Sequence, residues 1–151
     1  MADVLKKVPV REQAPKVRAT NFDEVCLGYN KEEAMEEASR CLGCKKAKCV
    51  EGCPVSIHIP DFIHQVKEGN FEEAYRIISE SSALPAICGR VCPQESQCEG
   101  KCIRGIKGEA VSIGKLERFV ADWARENGIK PAAPVEKNGR KLLLSVPVLP
   151  D

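Results

Sequence analysis

Residues 41–54 read CLGCKKAKCVEGCP, a run of four cysteines spaced Cys41-x2-Cys44-x4-Cys49-x3-Cys53 and closed by Pro54. Two close cysteine steps in one loop wrap three corners of a metal centre, and a residue distant in sequence must then complete it. A second group supplies that residue: Cys88-x3-Cys92-Pro93 followed by Cys98-x3-Cys102. The chain holds nine cysteines but only two histidines, His58 and His64, so the ligand set on offer is almost purely thiolate. Thiolate sites suit zinc or iron-sulfur clusters, and the odd cysteine count fits a disulfide framework poorly.

The first run is close to the bacterial ferredoxin pattern, in which the fourth, proline-preceding cysteine serves the other of two clusters. That division of labour requires a second ligand group, and residues 88–102 provide one. Zinc is the alternative of a different class, because the same run differs from a zinc-knuckle pattern by one spacing and one ligand type. A knuckle that binds nucleic acid presents aromatic stacking residues, whereas aromatics make up 5% of this chain and none lies between residues 41 and 53. A redox dithiol at Cys41 and Cys44 lacks the strand–helix context such motifs occupy. Cys26, outside both groups, reads as a buried apolar thiol. His58 and His64 read as packing or surface residues, and Trp123 as core.

Helical signals surround the cysteines. Asn30 with Glu33 three positions on forms a capping box that opens a helix running into Cys41. Pro60 opens PDFIHQVKEG, in which Phe62, Ile63 and Val66 share a side and Gly69 ends the turn. Asn70 with Glu73 repeats the capping signal ahead of a stripe of Phe71, Ala74, Tyr75 and Ile78, and Pro85 closes that region. A last helix spans about residues 112–127, with Leu116, Phe119, Val120 and Trp123 on one face and Gly128 as its stop. Strand-like alternation is absent from residues 26–130. The expectation is an all-α fold of short helices wrapped around two clusters, which stabilise a core too small to stand alone.

The expected organisation is an extended N-terminal arm over residues 1–25, the helical two-cluster domain over 26–130, and a linker and non-native tail over 131–151. At 151 residues there is room for one such unit. A formal charge of +1 points to neither nucleic acid nor a membrane surface as main partner, and no stretch has the apolar length of a membrane span or a signal peptide. The cytoplasm is the expected compartment, where so many cysteines argue for metal ligation. Cationic residues among the thiols, namely Arg40, Lys45, Lys46, Lys48, Arg90, Lys101 and Arg104, compensate thiolate charge or lie solvated at the surface.

Taken in order, Cys41-Leu-Gly-Cys44, Cys49-x3-Cys53-Pro54, Cys88-Gly-Arg-Val-Cys92-Pro93, Cys98-Glu-Gly-x-Cys102 and Ser112-Ile-Gly-x-Leu-Glu117 resemble the N-terminal domain of the glutamate synthase small subunit. The resemblance covers about residues 22–125 and extends to the corresponding domain of dihydropyrimidine dehydrogenase. It implies an alpha-helical ferredoxin-type fold with two 4Fe-4S clusters, preceding FAD- and NAD(P)H-binding domains that are missing from this chain. It assigns Cys41, Cys44, Cys49 and Cys102 to one cluster, and Cys53, Cys92 and Cys98 to the other. The eighth ligand it implies is Glu117, at the position of a glutamine ligand in the dehydrogenase. Spacing alone selects Cys88 instead. The implied role is electron transfer within an NAD(P)H/FAD oxidoreductase, between flavin and a partner such as the large glutamate synthase subunit or another redox protein; the chain alone is not a complete enzyme. Back-translation of residues 141–151 adds one expectation. Restoring a single A ahead of a permitted codon set yields KVAVVGAGPAG, a strand running into the dinucleotide-binding fingerprint, so the chain reads as a frameshifted or truncated product whose last ten residues are non-native.

Overall fold

The computed structural model describes residues 5–130. In chain order these form strand β1 (Arg11–Glu12), helix α1 (Pro15–Arg18), strand β2 (Cys26–Gly28) and helices α2 (Lys31–Ser39), α3 (Lys48–Glu51), α4 (Ile59–Lys67), α5 (Phe71–Ser79), α6 (Pro85–Val91) and α7 (Ile113–Glu126). Two 3-10 turns, Glu99–Lys101 and Ile103–Ile106, lie between α6 and α7. The all-helical expectation holds apart from one small antiparallel pair, β1 against β2, which pairs Arg11 with Gly28 and Glu12 with Cys26. Three residues are too few to show alternation, so the strand in 26–28 carried no sequence signal. The linker and tail assigned to residues 131–151 fall outside the described residues.

Local chemistry explains where most helices begin and end. At α2 the capping box forms as expected: Glu33 N donates to Asn30 Oδ1 at 2.8 Å and Asn30 N donates to Glu33 Oε2 at 2.7 Å. The equivalent signal at α5 does not form. Glu73 is taken by Arg76, whose Nε donates to it at 2.8 Å, and the Asn70 amide turns back to Gln65 Oε1 at 3.2 Å. Between α4 and α5 the chain reverses at Gly69, whose φ of +80° is open to glycine at no steric cost. Gly128, at φ +67°, ends α7 in the same way.

Pro85 does not close a region; it sits in the first turn of α6 and opens it. Proline serves as breaker or starter according to which side the helix continues on, and the run PAICGRV lacks the apolar period that would have announced a helix. Cys88 therefore lies on a helix rather than in a loop.

The core comes from one face of each longer helix. Phe62, Ile63 and Val66 of α4, Ala74 and Ile78 of α5, and Leu116 and Val120 of α7 are buried, with Ala34 and Ala38 of α2 closing one side. Each large apolar side chain so buried contributes roughly 1.5–3 kcal/mol. Phe71 meets Phe119 edge-on at a centroid distance of 5.1 Å and Trp123 at 5.5 Å, fixing α5 against α7. Trp123 thus packs on the core margin rather than inside it.

A buried charge pair ties the N-terminal segment to this core. Glu37 of α2 and Arg40 at its C-terminal end are both buried, and Glu37 Oε1 accepts from Arg40. Glu37 also accepts from Val8 N at 2.7 Å through Oε2 and from Ser112 N at 2.8 Å through Oε1. Arg40 in turn donates to the carbonyl oxygens of Glu109 and Ala110. Tyr29 adds a bond from its hydroxyl to Val8 O at 2.8 Å. Residues 5–8 are thereby stitched to α2 and to the segment leading into α7, a tertiary role that no extended arm shows in its own sequence.

Candidate iron-sulfur site

The first cysteine group closes on itself through a distant partner. Cys41, Cys44, Cys49 and Cys102 line one pocket whose apolar wall is made by Ile59, Ile63, Val111 and Ile113. Cys41 follows the end of α2, Cys44 lies in the loop that Gly43 opens at φ +59°, and Cys49 sits on the short helix α3. Cys102 arrives from between the two 3-10 turns. Burial pushes the thiols of Cys41 and Cys49 upward, Cys49 to about 11, and neighbouring thiols add to the push: Cys102 and Cys44 act on Cys41, and Cys102 and Cys41 on Cys49. A backbone N–H from Gly43 directed at the Cys41 sulfur works in the opposite sense. Half-buried thiols crowded around one pocket are poorly satisfied as thiolates alone, and strongly cationic iron removes that conflict.

The second group converges likewise. Burial raises the Cys92 thiol, and Cys88, Glu117 and Cys53 reinforce the rise. Cys98 is pushed up to about 12, first by burial, then by Glu99, with Cys53 and Glu117 adding to it. Cys53, Cys88, Cys92, Cys98 and Glu117 thus share one electrostatic neighbourhood, although they come from two helices, α6 and α7, and from the turns outside them. Glu117 is 7% exposed, its Oε1 has no hydrogen-bond partner, and burial alone lifts its carboxyl to about 7. A buried carboxylate oxygen without a partner is costly, and its place beside Cys92 and Cys98 suits the chemistry of a metal ligand. Cys88 lies on α6, four residues before Cys92 at the helix end, with Ser82 Oγ 4.0 Å from its sulfur.

Two close approaches hold this second neighbourhood together. A side chain at Gly89 would place its first carbon 2.7 Å from the backbone nitrogen of Arg118, so α6 and α7 touch there without intervening side chains. The same is true at Gly52, where a Cβ would lie 2.7 Å from Gln97 O, bringing the Cys53 turn against the Cys98 loop. Carboxylates from other elements set the start of α7. Ser112 makes no side-chain cap; instead Ser112 N donates to Glu37 and Gly114 N donates to Glu99 Oε1 at 3.2 Å. Glu99 is itself fixed by Lys7 Nζ at 2.7 Å. Negative charge at a helix N-terminus is favourable, and here it fixes the turn from which Glu117 projects. Glu37 and Glu99 escaped the sequence reading because nothing local distinguishes a buried glutamate from the solvated ones around it.

Cys26 is half-buried rather than buried, on β2, with Lys115 Nζ 4.0 Å from its sulfur. The side chains of His58 and Asp61 are both largely exposed, and His64 lies on the solvent side of α4. Arg40 is buried and paired, Arg90 bridges Glu24 and Asp122, and Lys48 pairs with Glu51. Among the described residues, no three His, Cys, Asp or Glu side chains converge tightly enough to hold a single metal ion. No helix among them is long and apolar enough to cross a membrane.

A small helical unit whose half-buried cysteines gather from two separated stretches of chain defines a class, the helical iron-sulfur domains. The particular family follows from comparison. Residues 18–129 match the family described as dihydropyrimidine dehydrogenase domain II, 4Fe-4S cluster, and the chain belongs to that family. It is 44% identical over 115 residues to the Escherichia coli (strain K12) protein UacF, named as an oxidoreductase, covering 76% of this chain and 18% of that protein. It is 40% identical over 135 residues to the glutamate synthase [NADPH] small chain of Azospirillum brasilense, covering 87% of this chain and 27% of the relative. Identity to the NAD-dependent dihydropyrimidine dehydrogenase subunit PreT of Escherichia coli (strain K12) is 36% over 123 residues, covering 82% and 30%. The chain spans less than a third of the length of these relatives. It is a 4Fe-4S electron-transfer domain similar to those of the glutamate synthase small subunit and of dihydropyrimidine dehydrogenase.

Proposed function

We propose that this chain carries two 4Fe-4S clusters and relays electrons between a flavin and a redox partner in an NAD(P)H/FAD oxidoreductase of the glutamate synthase small-subunit type. The observation that carries the reading is the meeting of Cys102 with Cys41, Cys44 and Cys49 around one pocket. These four would hold the first cluster. Cys53, Cys92, Cys98 and Glu117 would hold the second, with Cys88 as the alternative to Glu117. When bound, the clusters supply reversible one-electron chemistry. The protein contributes position and environment: apolar walls that limit water, backbone N–H groups directed at sulfur, and a harder oxygen ligand that separates the second site's potential from the first. FAD and NAD(P)H would bind domains beyond this chain, and the acceptor would be a large glutamate synthase subunit or another redox protein. No nucleic acid or membrane partner is proposed, and the proposed compartment is the cytoplasm.

Zinc structural binding is the competing reading. Zinc would draw four ligands in to about 2.0–2.3 Å around one point, whereas a cubane spreads its thiolates over its corners, as the lining of one pocket by Cys41, Cys44, Cys49 and Cys102 suits. Anaerobic purification followed by iron, sulfide and zinc determination separates the two. A brown protein bleached by dithionite, with about eight irons and eight sulfides per chain, supports the relay; a colourless protein with stoichiometric zinc overturns it. Replacing Glu117 and Cys88 in turn, with iron content and redox potential as readouts, decides the eighth ligand. Loss of iron only with Cys88→Ala would remove Glu117 from the assignment.

A further inference from the structure

We infer that Arg104 sets the redox potential of the first cluster, holding a fixed positive charge beside it so that the reduced state is favoured. This rests on the ligand assignment proposed above and goes beyond it. Arg104 lines the same pocket as Cys41, Cys44, Cys49 and Cys102. It follows Cys102 by two residues, and its Nε donates at 2.7 Å to the carbonyl oxygen of Arg40, the residue preceding Cys41. One side chain therefore ties together the two distant stretches of chain that complete this site. The bond uses only Nε. Among the described residues the terminal guanidinium nitrogens have no hydrogen-bond or ion-pair partner, so their charge is not cancelled by a carboxylate.

The other cations near the pocket differ in this respect. Arg40 is neutralised by Glu37, and Lys48 is paired with Glu51 at an exposed position. Lys101 is exposed, where water and salt screen it. Arg104 is half-buried and anchored. Its charge is also one of the influences on the Cys41 thiol, opposing the larger upward push of burial and that of Cys102 and Cys44.

One-electron reduction by dithionite adds one negative charge to a thiolate-held cluster and moves no proton or ligand. A nearby uncompensated cation stabilises that added charge and raises the potential. Arg104→Gln in the full chain, loaded anaerobically, is expected to disfavour reduction of the first cluster about tenfold, a fall of about 59 mV for a one-electron couple. Arg104→Glu should lower it further, Arg104→Lys should retain most of the wild-type value, and Lys101→Gln should move it less than Arg104→Gln. The readout is a dithionite titration followed by electron paramagnetic resonance, with the first-cluster signal identified by its loss in Cys41→Ser. The second-cluster signal should stay in place. An unchanged first-cluster potential in Arg104→Gln with full iron and sulfide overturns the inference. So does loss of first-site iron in both Arg104→Gln and Arg104→Met, which would make the residue a clamp and nothing more. Wild-type protein that takes up no sulfide would instead sink the cluster assignment on which the inference rests.

Discussion

Removing Glu37 is the perturbation that most directly tests how the fold positions both sites. In Glu37→Ala the Arg40 guanidinium, 1% exposed, loses its carboxylate, and the N–H groups of Val8 and Ser112 lose their acceptor. Breaking a buried ion pair by deleting one partner costs about 3–5 kcal/mol, because the charge left behind is uncompensated. An orphaned buried N–H adds about 1–3 kcal/mol where water does not reach it. Since some repacking follows, about 4 kcal/mol is a fair expectation. At about 2–4 °C per kcal/mol for a chain of this size, the unfolding midpoint of the iron-loaded protein should drop by about 8–16 °C at a fixed heating rate. The paired variant Glu37→Leu/Arg40→Met leaves no charge behind and should recover most of that loss. Because Ser112 opens α7 and Glu117 follows it on that helix, Glu37→Ala should also lower iron occupancy at the second site, whose ligands lie far from residue 37 in sequence. A midpoint within about 3 °C of wild type, or a double variant no better than the single one, would refute the view that this pair governs the packing of residues 5–8, α2 and α7.

Other expectations follow from the same contacts. Gly89→Ala forces a carbon against the backbone of Arg118 and should part α6 from α7, costing about 1–3 kcal/mol and depleting second-site iron while the first site keeps its own; iron counts in the single variant check this. Glu117 has its carboxyl raised from 4.5 to about 7, so without a metal the neutral acid favours the fold below pH 4.5, and that advantage fades as pH rises through about 7. With about 2.5 pH units at about 1.4 kcal/mol each, iron-free Glu117→Gln should exceed the wild type in stability by up to about 3.5 kcal/mol above pH 7 and match it near pH 4, measured by urea unfolding. In the loaded protein the proposed role of Glu117 as a cluster ligand predicts the opposite sign. Arg90→Ala removes bridges to the partly exposed Glu24 and Asp122 and should cost no more than about 1 kcal/mol, shrinking further in high salt.

The cysteine spacings by themselves determined that thiolates from two stretches of chain serve a metal centre, iron-sulfur ahead of zinc, and capping and periodicity placed α2, α4, α5 and α7. Those signals are local: a capping box needs residues three apart, and an apolar stripe needs one turn of helix. The sequence could not assign Pro85, which starts α6, nor see the short β1–β2 pair, nor foretell that Asn70 would forgo its cap once Arg76 took Glu73. It placed Glu117 only through likeness to a family, and it passed over Glu37 and Glu99 as ordinary charged residues. Which glutamates are buried, which glycines let two backbones touch, and which arginine keeps an uncompensated charge beside four thiols all depend on segments up to about a hundred residues apart meeting in space. Burial and compensation arise between surfaces, and a single stretch of chain does not carry the surface it will meet.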